Sequence, residues 1–245
     1  MLNTERKIVE AIAKRKHLLF ALLDSENLKA TPSLFRLIED CDVDGVLVGG
    51  STIGDQIELD KLVKQVKSST ERPVILFPGN ITGISRHADA IFFSSLLNSD
   101  DPYFLIGAQA VAAFTVWKYH LEAIPMGYLI AGEGVAAGFV GRARPFPSNR
   151  PKLIASYALA AKFLGMRFLY LEAGSGASKS IPVETIKLVR SFYDGVLIVG
   201  GGIREPKTAK ELAKAGADIL VVGNLLETNN PIHKLKSISK AIHTI

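Results

Sequence analysis

Residues 195–224 read GVLIVGGGIREPKTAKELAKAGADILVVGN. A short apolar run, Gly195–Val199, ends in three glycines. Pro206 follows Glu205 and opens a helical pattern to Ala215, where Gly216 stops it. Proline suits a first helical turn, and glycine a C-terminal stop. A second apolar run, Asp218–Val222, ends in Gly223-Asn224. The stretch is a strand, a helix and a strand, with glycine at both strand ends.

The same rhythm extends toward the N-terminus. Further apolar runs are Leu18–Leu23, Gly45–Val48, Val74–Phe77, Ala90–Phe93, Met126–Ala131 and Phe168–Glu172. They are nearly continuously apolar, as parallel strands buried on both faces are. Helical patterns fall at Pro32–Glu39, Leu59–Ser68, Pro102–His120, Lys152–Leu164, Pro182–Phe192 and Pro231–His243. Eight alternating units with no linker predict one α/β domain over residues 1–245, a closed (β/α)8 TIM barrel, with an open doubly wound sheet as the alternative. One unit departs from the rhythm. Only Pro-Gly-Asn-Ile-Thr-Gly-Ile-Ser-Arg-His-Ala-Asp separates Phe77 from Ala90, too short and glycine-broken for a crossover helix. The third helix is expected to be missing or replaced by a loop, leaving an opening in the barrel's side for a long ligand. Residues 1–16 carry apolar side chains at helical spacing and predict an N-terminal helix packed on the barrel.

The chain has 245 residues, 48% hydrophobic and 22% charged, with a formal net charge of +5. The surplus suits phosphorylated or anionic partners, but no block of Lys and Arg dominates, so nucleic acid is not an expected partner. Cys41 is the sole cysteine, which excludes an internal disulfide and fits a cytoplasmic protein. The longest apolar stretch, Tyr103–Trp117, is too short to span a bilayer and contains Gln109. No integral membrane segment is expected.

In such barrels, catalysis sits at the C-terminal ends of the strands. Glycines after strands seven and eight (Gly201, Gly202 and Gly223, beside Asn224) let backbone N–H groups approach a phosphate. Gly174-Ser175-Gly176 supplies a third wall. Asp24 ends strand one and suits a hard cation such as Mg2+, or else caps the helix that follows. Glu172 ends strand six within an apolar environment and suits a base or a stabiliser of positive charge. No strand-end lysine is placed for a Schiff base, and no histidine cluster has zinc spacing. Neither a Gly-x-Ser-x-Gly elbow nor a dinucleotide fingerprint is present.

Several of these runs together resemble the geranylgeranylglyceryl phosphate synthase family and its bacterial heptaprenyl relatives. They are Tyr170-Leu-Glu-Ala-Gly-Ser-Gly176, Val199-Gly-Gly-Gly-Ile-Arg204, Val222-Gly-Asn224, Ile124-Pro125 with Gly127-Tyr128, Gly141-Arg-Ala-Arg-Pro145, Leu23-Asp24 and Gly49-Gly-Ser-Thr52. The resemblance implies transfer of a geranylgeranyl group from its diphosphate to the 3-hydroxyl of sn-glycerol 1-phosphate, the first ether bond of archaeal membrane lipids. It implies Mg2+ at Asp24 and Ser51. It assigns Tyr170, Leu171, Glu172, Ala173, Gly174, Ser175, Gly176, Gly201, Gly202, Gly223 and Asn224 to glycerol phosphate, with Glu172 and Tyr170 catalytic. Where many members read Asp-Pro-Asp/Glu-Lys, this chain reads Asp24-Ser25-Glu26-Asn27. Arg142 or Arg144 is expected to replace the lost lysine's charge. Phe104, Leu105, Ala108, Ala112 and Trp117 are candidates for the wall of a prenyl trough, with barrel packing or a subunit interface as the competing reading. A homo-oligomer, dimer or hexamer, and peripheral membrane contact are further expectations. The rival functions are a phosphosugar isomerase barrel and a non-catalytic phosphoglycerol or prenyl-phosphate binding barrel.

Overall fold

A computed structural model of the protein describes residues 3–24, 39–50, 55–133, 135–147, 149–227 and 231–245. Eight strands form one closed, all-parallel barrel in sequence order: β1 (Leu18–Asp24), β2 (Gly45–Gly49), β3 (Val74–Leu76), β4 (Ala90–Leu96), β5 (Glu122–Ile130), β6 (Phe168–Glu172), β7 (Val196–Gly200) and β8 (Ile219–Val222). β8 closes on β1 with Leu18 opposite Ile219 and Ala21 opposite Val222. The open-sheet alternative is therefore excluded. The strand alternation sorts side chains into two cores. Phe20, Leu47, Ile75, Phe92, Phe168 and Ile198 fill the barrel interior. Their neighbours Leu19, Val46, Val48, Leu169 and Leu197 pack outward against the helices.

The described helices are α1 (Asn3–Arg15), α2 (Gln56–Ser69), α3 (Ala108–Lys118), α4 (Val135–Val140), α5 (Pro151–Phe163), α6 (Val183–Arg190), α7 (Pro206–Lys214) and α8 (Pro231–His243). The helix expected over Pro32–Glu39 falls almost wholly outside the described residues. α1 joins the interior core through Ile8. Its first N–H groups are capped from far away: Thr4 and Glu5 donate to the buried Glu122 carboxylate at 2.7 and 2.8 Å. Glu5 is in turn held by Arg167 through two contacts of 2.5 and 2.8 Å.

Between β3 and β4 there is no α-helix, only a 3-10 turn over Ile81–Gly83. The Asn80 side chain accepts from the Ile81 N–H at 2.8 Å and fixes that turn. This is the gap expected from the sequence. Two other elements differ from expectation. β5 begins at Glu122 rather than Met126, carrying Pro125 within it opposite Phe93. The helix expected from Pro102 to His120 begins instead as a π-helical turn, Tyr103–Gly107, and becomes α-helical at Ala108.

Candidate active site

At the C-terminal end of the barrel a cavity of about 350 Å³ runs from polar strand ends to an apolar trough. Its volume is within the range of small-molecule sites. The polar end is lined by Asp24, Gly49, Gly50, Glu172 and Ser175. The trough is lined by Ile84, Ile91, Phe93, Phe104, Ala108 and Ala112, and is covered by Ala136, Ala137 and Val140 of α4. Pro78, Gly79, Asn80 and Ile81 form its side where the third helix is missing. The short β3–β4 connection thus makes room for the trough, and the Tyr103 hydroxyl donates to Asn80 Oδ1 at 2.7 Å to join the two edges.

Glu172 is 7% exposed. Burial raises its pKa, against the Gly174 N–H and the Tyr170 hydroxyl, which donate to the carboxylate and lower it. The Gly174 N–H lies 2.6 Å from Oε1. A carboxylate kept short of solvent is a stronger base than one in water. Around it stand three aromatic rings. Phe77 stacks on Tyr170 at 5.1 Å, and Tyr128 meets both edge-on at 5.4 and 5.3 Å. Phe77 and Tyr128 line the cavity. Burial pushes both tyrosine hydroxyls well above their ordinary pKa, with the nearby Glu172 charge adding to the rise, so they stay neutral donors.

The loops that follow β6, β7 and β8 meet over the polar end. Asn224 Oδ1 accepts from the Gly176 N–H at 2.9 Å and from the Ser175 hydroxyl at 3.0 Å. Arg204 donates to the Gly176 carbonyl at 3.1 Å. Ser178 donates to Glu133 through its hydroxyl and, at 3.4 Å, its N–H. Gly201 and Gly202 have φ of +82° and +69°. A Cβ at Gly201 would sit 2.5 Å from Glu172 Oε1, and one at Gly202 2.5 Å from the Lys179 backbone. Only glycine fits both the backbone conformation and the space.

The structure brings Asp24, Glu172 and Ser175 to one cavity and gathers Gly174, Gly176, Gly201 and Asn224 around its rim. Tyr170 is buried, 1% exposed, behind Phe77. Leu171 and Ala173 turn their side chains into the outer core, so only their backbones face the site. Ser51 lies outside the described residues. Two expectations fail. Arg142 and Arg144 do not line the cavity: they pair with Asp101 at 3.4 Å and Asp100 at 2.5 Å, with side chains 73% and 81% exposed. Trp117 is 71% exposed, and neither it nor Leu105 lines the trough, while Phe104, Ala108 and Ala112 do. Phe77 and Gln109 were not singled out as site residues from the sequence, and Tyr128 entered only as part of a family motif with no role assigned. Strand register supplies what the motif does not, placing Tyr128 directly beside Tyr170.

The family model described as the PcrB family matches residues 10–242. A geranylgeranylglyceryl phosphate synthase of Nitrosopumilus maritimus is 52% identical over 242 residues, 98% of this chain and 97% of that protein. Among solved structures, wild-type GGGPS from Thermoplasma volcanium superposes with a TM-score of 0.94 at 39% identity, covering 100% of this chain and 99% of that one. The (S)-3-O-geranylgeranylglyceryl phosphate synthase of Thermoplasma acidophilum, solved with its substrate sn-glycerol-1-phosphate, gives 0.91 at 37% identity with both chains fully covered.

Proposed function

The chain belongs to the PcrB family, and on that premise we propose that it moves a geranylgeranyl group from its diphosphate to the 3-hydroxyl of sn-glycerol 1-phosphate. The observation that carries the reading is one cavity joining buried carboxylate chemistry at the strand ends to an apolar trough in the barrel's side. A phosphosugar isomerase has no use for such a trough. The backbone around Gly174, Gly201 and Gly202 and the loop tied by Asn224 hold the glycerol phosphate. That positioning can lower a barrier by about 7 kcal/mol or more.

The C1–O bond of the prenyl diphosphate breaks, its electron pair leaving on the diphosphate. The 3-hydroxyl oxygen forms the new bond to C1, and its proton passes to Glu172. The negative carboxylate and the faces of Phe77 and Tyr128 favour the allylic cation that develops.

Magnesium belongs to the same proposal. Asp24 lines the polar end of the cavity, and Mg2+ needs only one or two protein carboxylates when waters and substrate phosphates complete its shell. Among the described residues no group of three or more His, Cys, Asp and Glu gathers. When bound, the ion would neutralise the leaving diphosphate. A homo-oligomer is also part of the reading, supported by the apolar outer face of α3, where Val111, Phe114 and Trp117 are 61–75% exposed. No described helix is long and apolar enough to cross a membrane.

The test is a transfer assay with sn-glycerol 1-phosphate and geranylgeranyl diphosphate, with Mg2+ or a chelator, beside Asp24→Ala. Ether product that needs the metal and is lost in the variant supports the reading. No product from the unmodified protein defeats it.

A further inference from the structure

The π-helical turn Tyr103–Gly107 runs straight into α3, with the Ala108 N–H donating to the Tyr103 carbonyl. Such turns insert a residue into the helical repeat and concentrate at functional sites. Two contacts tie this one to the end of β4. The Ser95 hydroxyl donates to the Leu105 carbonyl at 2.7 Å. The Gln109 side-chain amide donates to the Ser94 carbonyl and, at 3.3 Å, to the Phe104 carbonyl.

Both partners of that amide are carbonyl oxygens, so its nitrogen must face them and cannot be exchanged with its oxygen. The consequence is that Gln109 Oε1 is buried with no hydrogen-bond partner. A buried acceptor left unpaired is costly, and leucine or methionine would fill the same wall without it. Gln109 lines the trough beside Phe104, Ala108 and Ala112. Packing alone does not account for an amide there. Its two donated bonds do: they hold the wide turn. Relaxing that turn to an ordinary α-helix would rotate Phe104 by about 100° about the helix axis and out of the wall.

We infer that Gln109 is a positioning residue that sets which prenyl chains the trough accepts, by pinning the π turn to β4 so that Phe104 stays in the wall. The inference rests on the prenyl-transfer reading above. Ser95 supports the same turn from its other side.

Gln109→Leu and Ser95→Ala are compared with the unmodified protein in two measurements. One is steady-state transfer with farnesyl, geranylgeranyl and longer prenyl diphosphates; the other is calorimetric binding of each diphosphate, which needs no turnover. In Gln109→Leu the affinity and KM for geranylgeranyl diphosphate are expected to weaken roughly tenfold, the low end of what a hydrophobic pocket discriminates per methylene. The order of preference among chain lengths changes, while KM for glycerol phosphate and the melting midpoint hold. Ser95→Ala moves the same way by less. An unchanged chain-length profile overturns the inference. So does a parallel loss of both affinities with a lowered melting midpoint, which marks a merely structural role. If the unmodified protein binds prenyl diphosphates without transferring them, the functional reading fails, and the binding profile alone decides the role of Gln109. Absence of prenyl binding in the unmodified protein overturns both.

Discussion

Replacing Glu172 by Gln tests the chemistry with little change of shape. The carboxylate accepts from the Gly174 N–H at 2.6 Å and from the Tyr170 hydroxyl. An amide oxygen can keep the first of these, so the loop that follows β6 stays in place. What is lost is the charge and the basic site. A general base contributes about 100- to 10,000-fold, or about 3–5 kcal/mol of barrier. Turnover should fall by that factor while KM for glycerol phosphate moves by no more than about threefold, a fraction of a kcal/mol. The pH profile gives an independent check. Burial raises the Glu172 pKa, so the base form is lost as pH falls through a value above the ordinary carboxylate range. The acid limb of kcat should lie there and disappear in the variant. Stability has the opposite sense. A raised folded pKa means that the native state binds the proton more tightly than the unfolded chain. The stability this brings is present below the unfolded pKa and lost as pH rises through the folded one. Chemical denaturation should therefore show Glu172→Gln gaining on the unmodified protein over that rise. Unchanged turnover, or an acid limb that survives in the variant, would refute the assignment.

Three further outcomes follow from the geometry. Tyr128→Leu removes a ring at the developing cation and should lower kcat roughly 2- to 30-fold, the cation–π range of about 0.5–2 kcal/mol, with glycerol phosphate binding intact. Gly201→Ala forces a left-handed backbone costing about 1 kcal/mol and pushes a methyl to within 2.5 Å of Glu172 Oε1. It should depress turnover by far more than its loss of melting temperature accounts for, as a paired assay and thermal scan would reveal. Glu122→Ala strips the cap from α1 and should cost about 2 kcal/mol, or about 4–8 °C of melting midpoint. Transfer activity at 25 °C should survive it, because Glu122 lies at the opposite end of β5 from the cavity.

The barrel was legible because most strands are largely apolar on both faces and glycine marks the ends of several, such as β2, β7 and β8. β6 and α8 fall where their apolar patterns predict them. β5 was misplaced because Pro125 reads as a strand break, although the barrel accommodates it opposite Phe93. α4 was missed because Val135-Ala-Ala-Gly-Phe-Val140 is short and glycine-interrupted. The π turn was hidden because one inserted residue barely disturbs an apolar run. At the site, Glu172 and the glycines stood out by chemistry and strand-end position. Phe77 did not, and Tyr128 showed only as part of a motif without a role, since an aromatic in a strand reads as core until its register is known. Arg142 and Arg144 misled because their partners, Asp100 and Asp101, lie far earlier in the chain and claim them at the surface.

The cap on α1 orders events during synthesis. Glu122 lies 118 residues after Thr4. At roughly 5–20 residues per second, a ribosome delivers it some 6–24 s after the helix it completes. Until then α1 has neither its cap nor the finished barrel floor, to which Ile8 contributes. An isolated helix of this length is marginal in water. α1 therefore emerges long before it can be secured, and a nascent chain stalled before β5 would present that helix's segment open to proteases and chaperones.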